Sequence, residues 1–169
     1  MRHRALRGLA LSLLCLLAAC QQYDVTVNDR VVYTPRPLFT DFAASDPALQ
    51  QCLQSAVEYG KITAASQLHE LSCRKAGIRS LAGLSTFSGL RELDLSGNAI
   101  TEISELSALI ALEEAHLANN QITDPLPLAS LQALHTVDLS GNASLRCPDR
   151  QALLRVAHLQ LPSHCPRAR

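Results

Sequence analysis

Tryptophan is absent from this 169-residue chain, methionine occurs once, and phenylalanine and tyrosine occur three times each, so aromatics make up only 4%. That scarcity leaves few platforms on which bases or sugars could stack. Charge of one sign is also lacking: 15 Lys+Arg against 15 Asp+Glu give a formal net charge of +0. A nucleic-acid polyanion needs a basic surface, so no such partner is expected. The apolar run from Leu9 to Ala19 rises only about 16 Å as a helix, roughly half the hydrocarbon core, and cannot span a bilayer. Gly-x-Ser-x-Gly, a phosphate loop and His-Glu-x-x-His are all missing, and the histidines at 69, 116, 135, 158 and 164 are scattered. No catalytic residue is expected.

What the chain has is a period. Leu90, Leu93, Leu95, Asn98 and Ile100 return 22 residues later as Leu112, Ala115, Leu117, Asn120 and Ile122. They return again as Leu134, Val137, Leu139 and Asn142, and an imperfect earlier copy holds Leu68, Leu71, Cys73, Ala76 and Ile78. Between these sets Leu81, Leu84 and Phe87 align with Ile103, Leu106 and Leu109, then with Pro125, Leu128 and Leu131. A fixed interval of this kind signals stacked repeats, each too small to bury its own apolar face.

The pattern Leu-x-x-Leu-x-Leu-x-x-Asn resembles the leucine-rich repeat, and the 22-residue length resembles the internalin subclass of bacteria. The resemblance implies an α/β solenoid of about four parallel strands over residues 68–145. It also implies 3₁₀-like turns on the convex side, where Pro125 and Pro127 suit a turn better than a helix. Asn98, Asn120 and Asn142 should then be buried, satisfying backbone groups at the corner after each strand. The outward strand positions form the expected partner-binding concave face. One column holds Glu70, Glu92, Glu114 and Thr136; the next holds Ser72, Asp94, His116 and Asp138, with Arg74 and Lys75 placed to offset part of the acid. Asp94, His116 and Asp138 offer two carboxylates and an imidazole, but nothing completes a ligand set, so neither a metal nor any other cofactor is assigned.

Residues 1–19 read as an address. Arg2, Arg4 and Arg7 precede the short apolar run, and Ala18 and Ala19 lead into Cys20, as in a secretory signal. Leu17-Ala18-Ala19-Cys20 resembles the lipobox of bacterial lipoproteins, which implies lipidation at Cys20 and a bilayer anchor. Gln21 lacks the aspartate associated with inner-membrane retention, so the resemblance favours the outer membrane. Cleavage would leave 12 Lys+Arg against 15 Asp+Glu.

Residues 20–40 read as a tether with a β-hairpin in which Val25 and Val27 lead through Asn28-Asp29 to Arg30–Tyr33. Residues 41–67 form an N-terminal helical cap: Asp46-Pro47 starts a helix, Leu49, Cys52, Leu53, Ala56 and Val57 give it one apolar face, and Gly60 stops it. Residues 146–169 form a C-terminal cap, with a helix opened by Cys147-Pro148-Asp149 and carrying Leu153, Leu154, Val156, Ala157 and Leu159. With Cys15 lost and Cys20 lipidated, Cys52, Cys73, Cys147 and Cys165 allow three connectivities, of which 52–73 and 147–165 are expected. A zinc site is disfavoured because no Cys-x-x-Cys occurs and ligands from both ends would be required.

Together these readings describe a monomeric lipoprotein of the cell envelope whose repeat surface binds a protein or peptide. A structural envelope component and a divalent-metal protein are the alternatives. Intact-mass analysis of protein from membranes should find an N-terminal acylated Cys20, and Cys20→Ala should move the chain into the soluble fraction. An unlipidated mature chain would refute the anchor.

Overall fold

The structure is a computed structural model that describes residues 25–27, 30–33, 36–148, 153 and 155–166. The signal segment 1–19, Cys20, the turn Asn28-Asp29 and the proposed helix start at Asp149 lie outside the described residues. The chain divides into two units, one ending at Pro37 and the other beginning at Leu38. In the first, β1 (Val25–Val27) pairs antiparallel with β2 (Arg30–Tyr33), matching Val27 to Arg30 as the hairpin reading requires.

The second unit is a leucine-rich repeat solenoid. Strands β3 (Glu70–Ser72), β4 (Glu92–Asp94), β5 (Glu114–His116), β6 (Thr136–Asp138) and β7 (His158–Gln160) form one parallel sheet in chain order. Leu71, Leu93, Ala115, Val137 and Leu159 stand in register across it. Short 3₁₀ turns at Leu84–Thr86, Ser104–Ala108 and Leu126–Ser130 supply the other wall, burying Leu84, Leu106 and Leu128. Each leucine removed from water contributes on the order of 2 kcal/mol. Leucines at 68, 90, 112 and 134 are buried alike, so the core is a column of near-identical layers. Pro125 precedes the third turn and Pro127 lies within it, as tight turns allow and a regular helix would not.

The asparagines hold these layers together. Asn98 donates through Nδ2 to the carbonyls of Cys73 (2.9 Å) and Leu95 (2.7 Å), while its Oδ1 accepts from the amides of Ala76 and Ile78. Asn120 donates to Leu95 and Leu117 and accepts from Ile100. Asn142 donates to Leu117 and Leu139 and accepts from Ile122. Every amide therefore bridges its own repeat and the preceding one. One position before each asparagine the backbone turns left-handed, at Gly97 (φ 76), Asn119 (φ 55) and Gly141 (φ 74). Lys75 (φ 52) does the same in the first repeat, where Ala76 stands in the asparagine position.

Helix α1 (Pro47–Gly60) closes the near end. It buries Leu49, Leu53 and Val57 and is tied to the first repeat by the Cys52–Cys73 disulfide. The left-handed residue that ends it is Lys61 (φ 52) and not the expected Gly60, with the Ile62 amide returning to the Val57 carbonyl. Upstream of α1, Phe39 and Phe42 pack on Phe87 of the first repeat, with ring centroids 5.9 and 5.1 Å from it. All three phenylalanines of the chain meet there.

The far end differs from expectation. Where a cap helix was expected to carry Val156–Leu159, residues 158–160 form β7, a fifth strand beside β6. Leu153, Val156, Leu159 and Leu161 follow Leu131, Leu134, Val137 and Leu139 at the same 22-residue interval. This is a degenerate fifth repeat, closed by the Cys147–Cys165 disulfide. Among the described residues no helix is long and apolar enough to cross a membrane.

Asp46 joins cap to stack. Its Oδ1 accepts from Ala48 and Leu49 at the start of α1, and its Oδ2 accepts from Arg79 (2.8 Å) and Ser80 (3.2 Å) beyond the first strand. Burial alone would raise its pKa, but the backbone donors outweigh burial and hold it below 3.8. The stability this carboxylate contributes is thus present above its unfolded value and disappears as pH falls through the depressed one. Asp46→Ala should cost about 2 kcal/mol at neutral pH in urea unfolding. Its gap from the parent should narrow in acid below the ordinary aspartate pKa. A cost that does not change with pH would contradict the clamp.

Candidate functional site

Strand side chains alternate in direction, so the residues flanking each buried core position face away from the stack. Register places Glu70, Glu92, Glu114 and Thr136 in one column and Ser72, Asp94, His116 and Asp138 in the next. Neighbouring members are about 4.8 Å apart in backbone spacing. β7 lengthens both columns, adding exposed His158 to the first and exposed Gln160 to the second. Neither was expected on this face. Val156-x-x-Leu159-x-Leu161 carries their signal, weakened by valine for leucine and by proline at 162.

The two columns differ in what holds them. Asp94 Oδ1 accepts from the Ser96 amide (3.0 Å) and Asp138 Oδ1 from the Ser140 amide (2.9 Å). These aspartates brace the turn that leads to the asparagine. Asp94 also meets Arg74 Nε at 3.4 Å, so Arg74 offsets an aspartate and not the glutamate column. Lys75 lies across Gly97, its Cγ 2.9 Å from where a Cβ at that glycine would stand. A side chain at position 97 would displace it.

The glutamates serve no such purpose. Among the described residues neither the Glu70 nor the Glu92 side chain has a hydrogen-bond or ion-pair partner, and both residues are exposed. Glu114 is half-buried, with His116 Nε2 3.7 Å from its Oε2. Three carboxylates in one register column repel one another, and the fold derives no contact from the first two. Asp94, His116 and Asp138 stand side by side, yet their ligand atoms do not converge. The one group of three such atoms within 4.8 Å among the described residues is Cys147, His164 and Cys165. His135 is exposed at the entry to β6, with Nδ1 3.0 Å from Thr136 Oγ1, and His158 lies on β7 rather than on a helix.

Comparison with known proteins follows the fold. A family model described as the leucine-rich repeat domain of the endo-beta-N-acetylglucosaminidase EndoS matches residues 44–156, ending just before β7. An internalin, InlF, from Listeria monocytogenes is 24% identical over 70% of this chain and 36% of its own, with a TM-score of 0.60. The functional domain of InlJ from Listeria monocytogenes is 26% identical over 56% of this chain and 20% of its own, with a TM-score of 0.49. The chain thus spans about a third of the InlF chain that it matches. No curated protein matches it.

The division of labour between the columns is measurable. Asp94→Ala should lower stability by about 1 kcal/mol through loss of the Ser96 acceptor. Glu92→Ala should stay within about 0.5 kcal/mol of the parent. Equal costs in urea unfolding would mean that the glutamates also serve the fold.

Proposed function

The chain belongs to the EndoS leucine-rich repeat domain family, and from that premise we propose that it is a non-catalytic binding module whose sheet face receives a basic segment of a protein or peptide. Leucine-rich repeat domains as a class bind proteins, but fold alone names no partner. The glutamate column carries the reading: Glu70, Glu92 and Glu114 lie in register, and among the described residues the first two side chains have no internal partner. Aligned carboxylates at strand spacing suit lysines or arginines of an extended ligand. Five strands give a face about 19 Å across, small for a large receptor interface and adequate for a peptide or a small domain.

The lipobox-like Leu17–Cys20 and the position of Gln21 support an anchored protein of the bacterial envelope, at the outer membrane in preference to the inner. In that setting residues 20–40 are the tether that follows the anchor in the sequence, and the two disulfides suit an oxidising compartment.

A photo-crosslinker at position 92 should trap a partner in native membranes, whereas one at Ser107, on a turn of the opposite wall, should not. With the crosslinker at 92, lysine at both 70 and 114 should abolish the adduct while changing the unfolding free energy by no more than about 0.5 kcal/mol. Adducts of equal yield from both positions, or from the double-lysine variant, would count against the face.

A further inference from the structure

The far end of the stack is closed by groups that the repeat pattern does not require. In the fifth repeat the ladder position of Asn98, Asn120 and Asn142 is held by His164, next to Cys165 and its disulfide partner Cys147. A ring nitrogen of His164 and both sulfurs lie within 4.8 Å of one another. Cys147 and His164 are exposed and Cys165 is buried. His164 does not reproduce the work of the asparagine: among the described residues its one ring contact is Nε2 to the Leu145 carbonyl, at 2.9 Å. A carbonyl oxygen can only accept, so Nε2 carries the proton and Nδ1 of the neutral ring keeps its lone pair. Metal-bound histidines have their tautomer set in this same way.

We propose that opening the Cys147–Cys165 disulfide turns this end of the stack into a zinc site, with two thiolates and His164 Nδ1 as ligands and a fourth position open to water. A dithiol reductant delivers two electrons and two protons to the S–S bond and is itself oxidised to a disulfide. Zn²⁺ then displaces both thiol protons to solvent. Zn–S bonds of about 2.3 Å in tetrahedral geometry require sulfurs about 3.8 Å apart. The Cα atoms, 5.4 Å apart, allow that separation through side-chain rotation. The loop between residues 147 and 165 is closed in both states, by a covalent bond in one and by a cation in the other. The requirement for ligands from both ends of the chain no longer applies, because His164 supplies the third ligand locally.

The test uses the full chain reduced anaerobically with a phosphine and titrated with Co²⁺ as a spectroscopic stand-in for zinc. One Co²⁺ per chain should bind, with thiolate-to-cobalt charge-transfer absorption that Zn²⁺ abolishes, and the unreduced protein should show none. His164→Asn restores the ladder residue, so it should fold as the parent does by circular dichroism yet bind Co²⁺ about tenfold or more weakly. Cys52→Ser should leave the absorption in place. Undiminished binding by His164→Asn, binding by the unreduced protein, loss of the signal in Cys52→Ser, or no stoichiometric Co²⁺ in the reduced parent would each overturn the site.

Discussion

Where each strand turns towards the opposite wall, backbone groups of two adjacent repeats face a common point inside the core, out of reach of water. One primary amide answers both. Its nitrogen donates backwards to two carbonyls from neighbouring repeats, and its oxygen accepts an amide of the earlier one. Left unpaired, such groups would cost about 1–3 kcal/mol each, which is comparable with burying a whole leucine. Among the described residues no buried side-chain nitrogen or oxygen lacks a partner. The corner therefore fixes the register of consecutive repeats as much as the leucines do, because the amide must reach the corner of the preceding repeat.

The same constraint shapes the outer face. Since the ladder fixes register, side chains at corresponding positions are bound to form columns whether or not their charges agree. The aspartate column reconciles itself with the fold by accepting the amides of Ser96 and Ser140. In the glutamate column only Glu114 has a charged neighbour, His116, and among the described residues the side chains of Glu70 and Glu92 have none. Their mutual repulsion is small in solvent and screened by salt.

The solenoid was legible because periodicity is a global signal: one substituted position, such as Ala115 for leucine, does not hide it. Both disulfides were legible for a related reason, since Cys73 takes an inward position beside α1 and the other pair brackets one segment. The fifth strand was missed because Val156 replaces leucine and His164 replaces asparagine. The apolar spacing spoke for a helix running through Val156–Leu159, and pairing of residues 158–160 with β6 overrode it. Phe39 and Phe42 were hidden for a different reason. They precede the period, and only the fold brings them to Phe87. Among the site residues the columns could be written down in advance, but the split between bracing aspartates and free glutamates depends on hydrogen bonds that spacing does not reveal.

Gathering every phenylalanine into one cluster at the near end has an optical consequence. With no tryptophan in the chain and Tyr59 almost wholly exposed, the packed rings of Phe39, Phe42 and Phe87 supply the only rigid aromatic environment of the repeat unit's described residues. The phenylalanine fine structure in the near-ultraviolet dichroism, distinct from the broad disulfide bands, consequently reports on the near end of the repeat unit. Fraying that begins at β7 leaves that fine structure untouched, so melting followed through it and melting followed through the backbone amides need not coincide.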